Sequence, residues 1–406
     1  MMRILLVAPE FPPATGGMAA HAGRMAALLA ARGHTVRVLT MRENAPRTHD
    51  SSYHVTAGLT EHYAADMRRI RAEITASEPQ VVLLANAGFA RLALYPGPPI
   101  VTRTVGNDVY GAWIGPHVPL RFLYWRLPHS PGSLGARLRR LDQERRAAAV
   151  LEGVQHCAAV LCNSSYTRAR LGQLGVPEQA LHVVAGGVDT TIFCPNGRPA
   201  ALSDTIVLGT AGGIRPIKGF SVAIEALAQL AARRHNLSLV IAGGELDAHR
   251  AESAHVRAQA AALGVASRVT FLGNVPQDQM PDFYRRVSLY LQPSVPYREP
   301  ASDVVQEESM GRALCEAQAS GLPVIASRCG GVPEVVQEGR TGLLVPPGDA
   351  HALADAIERL LGQPELAQRM ATAGRTWVVE RFSWDAVVSA TEALLERAIR
   401  LACHEH

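Results

Sequence analysis

The run Gly209-Thr-Ala-Gly-Gly-Ile-Arg-Pro-Ile-Lys218-Gly219 sets a guanidinium and an ammonium close together in a glycine-rich turn. An apolar run, Thr205 to Leu208, precedes it and an amphipathic run, Phe220 to Ala232, follows, which reads as strand, loop and helix. Such a junction offers free backbone N–H groups and the positive end of a helix dipole to an anion. Lys218 is the only lysine in the 406 residues; every other basic side chain of this kind is arginine. Arginine supplies a planar fork and lysine a flexible point charge, and both suit phosphate oxygens. Arg215 and Lys218 are therefore expected to grip a phosphate group. The alternative is an ordinary turn carrying two solvated cations.

A second constellation is acidic. Glu308 and Glu316 bracket Ser309-Met310-Gly311-Arg-Ala-Leu-Cys315, with the Met310–Gly311 turn expected to open a helix and leave Glu316 about one turn inside it. A carboxylate accepts from paired hydroxyls, so ribose or sugar recognition fits both acids, while favourable placement near a helix N-terminus is the plainer explanation. In the N-terminal half, Gly16-Gly17 forms another candidate anion loop or a simple tight turn. Asp108 of Gly106-Asn-Asp is either a site carboxylate or an Asx-turn cap, and His21 is either a site group or a solvated or capping histidine. No strict GxGxxG, Asp-x-Asp, zincin histidine spacing or GxSxG elbow occurs. A nicotinamide site, a catalytic metal and a serine hydrolase are accordingly not indicated.

These groups need a scaffold, and 406 residues suggest two domains of roughly 200 each. Hydrophobic content of 48% and charged content of 19% describe a globular, soluble chain. A net charge of +4 without aromatic-basic interleaving does not point to nucleic acid. Six cysteines without paired spacing read as reduced, the absence of a signal-like N-terminus points to the cytoplasm, and no apolar run reaches membrane-spanning length. Strands are predicted at Arg3–Ala8, Val36–Thr40, Val81–Ala85, Ile100–Thr104 and Ala158–Cys162, with helices at Met18–Arg32, Arg137–Gln155 and Ser164–Leu174. After a linker at Phe193–Ser203 the alternation restarts. Strands are predicted at Thr205–Leu208, Leu237–Ala242, Arg268–Phe271, Ser288–Gln292 and Pro323–Ala326. Helices are predicted at Phe220–Ala232, Arg250–Leu263, Pro276–Arg286 and Arg312–Ser320, with three more beginning near Ala350, Pro364 and Ser383. The expectation is α/β: two doubly wound Rossmann-like domains in tandem, with ligands beyond the carboxyl ends of the strands and the groove between domains as the default site.

The chain resembles glycosyltransferase family 4, which has the GT-B architecture of two Rossmann-like domains facing across a central cleft. The likeness runs along essentially the whole length. It rests on Pro12-Pro-Ala-Thr-Gly-Gly17, Asn163-Ser-Ser-Tyr-Thr167, Gly187-Val-Asp189 and Arg215-Pro-Ile-Lys-Gly219. Glu308 to Glu316 continuing as Ala317-Gln-Ala-Ser-Gly-Leu-Pro-Val324, Gly330-Gly-Val-Pro-Glu334 and Gly342-Leu-Leu-Val-Pro346 complete it.

The resemblance implies a retaining, metal-independent glycosyltransferase that takes a nucleotide-diphospho-sugar, expected to be a UDP-sugar with GDP as another possible carrier. It divides the chain into an acceptor domain at 1–195, a donor domain at 204–382, and a final helix at 383–406 returning to the first. Arg215 and Lys218 would neutralise the diphosphate, Glu316 would hold the ribose, and Glu308 with Ser309, Met310 and Gly311 would hold the sugar. Val275 would meet the base through its backbone, and Gly17 would approach the diphosphate from the other domain. Gly213 stands where the family commonly has arginine, so Arg215 supplies that charge from a different position. Val105 stands where many members carry histidine, and His21 or Asp108 would compensate. No cofactor is implied; the acceptor is a small molecule, a glycan or a lipid-linked compound. Arg121-Phe-Leu-Tyr-Trp-Arg126 and the basic stretch Arg137–Arg146 mix apolar and cationic groups, which suits peripheral contact with the inner membrane face or a solvated basic surface. A GT-B-type epimerase or phosphorylase and a non-catalytic nucleotide-sugar binding module are the competing readings.

Overall fold

The computed structural model describes residues 1–14, 17–44, 52–60, 62–105, 107–110, 133–195, 206–245, 249–298 and 305–404. The chain divides into two compact units. One comprises Met1–Ala185 with Val387–His406, the other Gly186–Arg298 with Val305–Ala386.

In the first unit the strands are β1 (Arg3–Val7), β2 (Thr35–Met41), β3 (His54–Leu59), β4 (Val81–Leu84), β5 (Ile100–Thr104), β6 (Ala159–Cys162) and β7 (Leu181–Val183). They form one parallel sheet in the order β3-β2-β1-β4-β5-β6-β7. Unbroken apolar runs explain the central strands: every residue of β4 is buried, as is all of β1 after Arg3. Strands covered on both faces require such runs, and alternating ones would leave polar groups inside. Chain order reverses between β1 and β4, which is the switch point of this sheet.

The second unit repeats the plan with β8 (Ile206–Ala211), β9 (Leu237–Ala242), β10 (Val269–Gly273), β11 (Leu289–Gln292), β14 (Val324–Ser327) and β15 (Leu343–Val345); β12 (Tyr297–Arg298) and β13 (Val305–Gln306) form a separate antiparallel pair. The parallel order is β10-β9-β8-β11-β14-β15, with the reversal between β8 and β11. Leu208, Leu239, Ile241, Leu291 and Ile325 from the sheet join Phe220, Ile224 and Leu227 of the Phe220–Ala231 helix in one core. Burying each such side chain contributes roughly 1.5–3 kcal/mol. The carboxyl ends of β8 and β11 thus mark the place where this unit should bind a ligand.

Several elements differ from the sequence expectation. Nothing in His-Val-Thr-Ala-Gly-Leu predicts β3, because an edge strand needs cover on fewer sides and its residues are mostly half-buried. The helix Tyr63–Ser77 also escapes prediction: His62 gives it no side-chain cap, and Asp66 within its first turn instead accepts from the Thr60 backbone N–H (2.8 Å) and hydroxyl (3.0 Å). β7 and β15 are three residues each, too short to show a period. The closing helices begin at Ala350, Pro364 and Trp384. Within the first unit the last of them is tied down by Glu392, which meets Arg32 Nη1 and His34 Nε2, each at 2.8 Å.

The segment Arg121–Arg126 lies outside the described residues. The basic stretch Arg137–Arg146 lies in the helix Leu134–Gln155, where part of its charge is answered internally by Arg140–Glu144 and Arg146–Asp142 pairs. Among the described residues no helix is long and apolar enough to cross a membrane.

Candidate active site

β8 ends at Ala211 and the chain passes through Arg215 into a short 3-10 turn, Pro216–Lys218, before the Phe220–Ala231 helix. Gly219 sits at φ +63°, and a Cβ there would lie 1.9 Å from the Pro293 carbonyl oxygen. Only glycine lets this turn press so closely on the segment leaving β11. Val295 N–H completes the contact by donating to the Ile217 carbonyl at 3.0 Å. The loop after β8 and the loop after β11 are thereby locked together at the switch point.

Glu308 enters this junction from a third direction. Its Oε2 receives Lys218 Nζ at 2.6 Å, and Gln292 Nε2 and Ser294 Oγ at 3.3 Å each. The pair is largely enclosed, with side-chain exposures of 13% for Lys218 and 12% for Glu308. Burial pushes the Glu308 carboxyl up, but the Lys218 ammonium, the Arg215 guanidinium and the Ser294 hydroxyl together hold it below its ordinary 4.5. Arg215 is half-buried and acts on Glu308 without a direct ion pair: among the described residues no carboxylate lies within ion-pair distance of it. One cation is therefore bound to the protein's own acid, and the other is available to an anion.

The backbone at Glu308 is fixed by the turn after β14. Gly331 N–H donates to the Glu308 carbonyl at 2.8 Å, and Gly330, at φ +55°, would place a Cβ 2.2 Å from that oxygen. Gly330→Ala should therefore displace Glu308. Strain of this kind costs of order 1–3 kcal/mol. The expected outcome is a lowered unfolding midpoint together with turnover reduced about tenfold, since misplacement at a reacting centre is costly. Thermal unfolding and steady-state assays on the same preparation check it, and unchanged values in both would show that the turn does not position the acid.

The helix after Gly311 spans Arg312–Ala319. Met310 is buried, its sulfur accepting from Gly186 N–H at 3.1 Å, and Ser309 is half-buried. Glu316 lies inside the helix and is only 4% exposed. Its Oε1 accepts from Gln277 Nε2 at 3.0 Å and lies 3.4 Å from Arg312 Nε; its Oε2 shares the Tyr284 hydroxyl with the Ala313 carbonyl. Glu316 thus anchors its helix to neighbouring elements on both oxygens. Val275, half-buried, follows the end of β10 at Gly273.

In the first unit Gly17 is exposed at the start of the helix Gly17–Ala31, and His21 is buried one turn later. Asp108 does not stand as an open acid and takes the capping role. Its Oδ2 accepts from Ala87 N–H at 3.0 Å, and its Oδ1 from the Thr104 hydroxyl at 2.7 Å and Val105 N–H at 3.1 Å. Burial pushes its carboxyl up against the pull of those bonds. It joins the end of β5 to the turn after β4. Among the described residues no group of three histidine, cysteine, aspartate or glutamate side chains is arranged to hold a metal ion.

Lys218, Arg215 and Glu308 are legible in the sequence, whereas Gln292 and Ser294 are not. Their signal is faint: Leu289-Tyr-Leu-Gln292 ends an apolar strand on a polar residue, and Pro-Ser294 follows. Gln292 and Ser294 are 1% and 0% exposed. Two polar groups buried at the carboxyl end of a central strand need partners, and here the partner is Glu308.

Comparison with known proteins agrees with this architecture. Residues 198–377 match the family model described as glycosyl transferases group 1, and residues 15–192 match Glycosyltransferase Family 4. A GDP-mannose-dependent alpha-(1-6)-phosphatidylinositol monomannoside mannosyltransferase of Mycobacterium tuberculosis is 29% identical, the alignment covering 96% of this chain and 97% of that protein. A D-inositol 3-phosphate glycosyltransferase of Acidothermus cellulolyticus is 34% identical over 58% of this chain and 54% of its own length. Among solved structures, sucrose-phosphate synthase from Thermosynechococcus elongatus superposes with a TM-score of 0.76 at 21% identity, covering 99% of this chain and 100% of that one; this bears on the fold alone.

Proposed function

The chain belongs to glycosyltransferase family 4, with the GT-B fold of two Rossmann-like units, and from that premise we propose a specific reaction: transfer of a hexosyl group from a nucleoside diphospho-sugar to a hydroxyl of an inositol-phosphate-type acceptor, with retention at the anomeric carbon and without a metal ion. The observation that carries the donor half is the pair of cations at the switch point of the second sheet. As the bond from the anomeric carbon to the diphosphate breaks, negative charge builds on the leaving oxygens. Arg215 and Lys218 are fixed cations in a poorly solvated site and stabilise that charge more than they would in water. Glu308 beside them is an anion that accepts from sugar hydroxyls. Glu316 meets the ribose by exchanging Gln277 for a hydroxyl pair, and the Val275 backbone meets the base.

Two lines of support bear on the donor nucleotide, and they favour different carriers. The relative matching nearly the full chain is GDP-mannose-dependent by its name, which favours GDP-mannose; a UDP-sugar is the expectation from sequence. Both relatives carry an inositol-containing acceptor in their names, which supports a phosphorylated cyclitol here. The test is mass spectrometry and NMR of products from GDP-mannose, UDP-glucose and UDP-N-acetylglucosamine, each offered with inositol 3-phosphate or phosphatidylinositol. A hexosylated acceptor with unchanged anomeric configuration, formed in the presence of chelator, is the expected result. Release of a 2-epimer, or tight donor binding without any product, would replace this reading with an epimerase or a binding module.

A further inference from the structure

The buried groups behind Glu308 form a chain whose direction is set by one backbone donor. Ala211 N–H, at the end of β8, can only donate, and it donates to the Tyr290 hydroxyl oxygen at 3.3 Å. The Tyr290 proton must then go elsewhere, and Gln292 Oε1 accepts it at 3.1 Å. That choice settles which way the amide faces, a point otherwise open for glutamine. Gln292 Nε2 is left to donate, reaching Ser294 Oγ at 2.9 Å and Glu308 Oε2 at 3.3 Å. Ser294, having accepted, passes its own proton to Glu308 Oε2 at 3.3 Å. Every link points the same way, and the terminus must be an acceptor.

All three donors to Glu308, namely Gln292, Ser294 and Lys218, converge on Oε2. Oε1 takes no donor among the described residues. A carboxylate so loaded on one oxygen has its rotation about the last side-chain bond arrested and its other oxygen free to accept. We propose that Gln292, oriented by Tyr290, is a positioning residue: it commits Glu308 Oε2 to the protein and so presents Oε1 to a hydroxyl of the donor sugar. The inference deepens the glycosyltransferase reading and rests on it for the identity of the ligand, but the state of Glu308 can be read without turnover.

The charged and titratable surroundings agree. Lys218 and Arg215 face Glu308 from the loop after β8 and hold it anionic. Tyr290 of β11 is kept protonated, its hydroxyl pushed well above 10 by burial and by Glu316 and Glu308. Cys329, after β14, is pushed up to about 12 by burial and stays neutral, as does Cys315 on the Arg312–Ala319 helix. Glu307 is the adjacent like charge, acting on the same thiol.

The test uses the full-length protein carrying 13C-labelled glutamate carboxyls, with the Glu308 signal identified by its loss in Glu308→Gln. In the parent it should titrate below pH 4.5. In Gln292→Met, which keeps volume without polar atoms, and in Tyr290→Phe, which keeps the ring, it should move upward by a measurable fraction of a unit or more. Binding of GDP and UDP, which have no sugar, should stay within about twofold of the parent in both variants. Turnover of the donor identified above should fall about tenfold, with the loss in kcat and not in KM. A Glu308 titration unmoved in the folded Tyr290→Phe variant would overturn the proposal, as would equal weakening of nucleoside diphosphate and sugar nucleotide. A shifted titration in a protein that turns over no donor would leave the positioning intact and remove the glycosyl-transfer reading instead.

Discussion

Lys218→Ala is expected to lower kcat by about 10²–10³, corresponding to roughly 2.7–4 kcal/mol of lost transition-state stabilisation, while donor binding weakens less. The reason lies in the timing of charge. The diphosphate is already anionic in the ground state, so Arg215 still attracts it, but the additional charge of the leaving oxygen appears only as the bond breaks. Lys218 has a second role that the substitution also removes, because its ammonium is the nearest cation to Glu308, at 2.6 Å. Lys218→Arg separates the two effects: it retains a positive charge but replaces a compact donor by a broad planar one. It should recover the Glu308 titration more fully than it recovers kcat. Parallel kinetics and circular dichroism decide the matter, and full turnover in a folded Lys218→Ala protein would remove the lysine from the chemistry.

Glu308→Gln should be nearly as damaging, with kcat reduced at least about 10²-fold. An amide keeps the volume and can turn its oxygen toward Gln292, Ser294 and Lys218, but it then sets an N–H₂ donor where Oε1 accepted from the sugar hydroxyl and removes the charge that pairs with Lys218. The pH dependence of the parent follows from the same network. Lys218 and Arg215 lower the folded-state carboxyl below 4.5, so the stabilising contribution of the ionised acid is complete above that pH and is lost as pH falls through the lower folded value. Stability and kcat should therefore both hold across neutral pH and decline together only below about pH 4.5. In Lys218→Ala the acid limb should move upward. An acid limb of the parent near pH 6 or 7 would mean that a different group controls the reaction.

Much of this was written locally in the sequence. Arg-Ile-Leu-Leu-Val and Val-Val-Leu-Leu announce buried parallel strands because nothing else accommodates such unbroken apolar runs, and the two halves repeat the same alternation. Lys218 stands out because it has no counterpart in the chain. Glu308 and Glu316 are visible as a pair, but their separate duties are not. Both are drawn into contacts with residues far away in sequence: Glu308 with a lysine 90 positions earlier, Glu316 with Tyr284 32 positions earlier. Asp108 illustrates the opposite difficulty. Its Gly-Asn-Asp setting suits a cap and a site acid equally, and only the arrival of Ala87 N–H after β4 decides for the cap. Gln292 and Ser294 become meaningful once β11 is seen beside β8, which no local pattern reveals.

The most direct measurement is a crystal structure of the protein grown with a nucleoside diphosphate, GDP and UDP in turn. Diphosphate oxygens are expected within hydrogen-bond distance of Lys218 Nζ and the Arg215 guanidinium, beyond the carboxyl ends of β8 and β11. A diphosphate bound elsewhere, with Lys218 still paired only to Glu308, would contradict that placement.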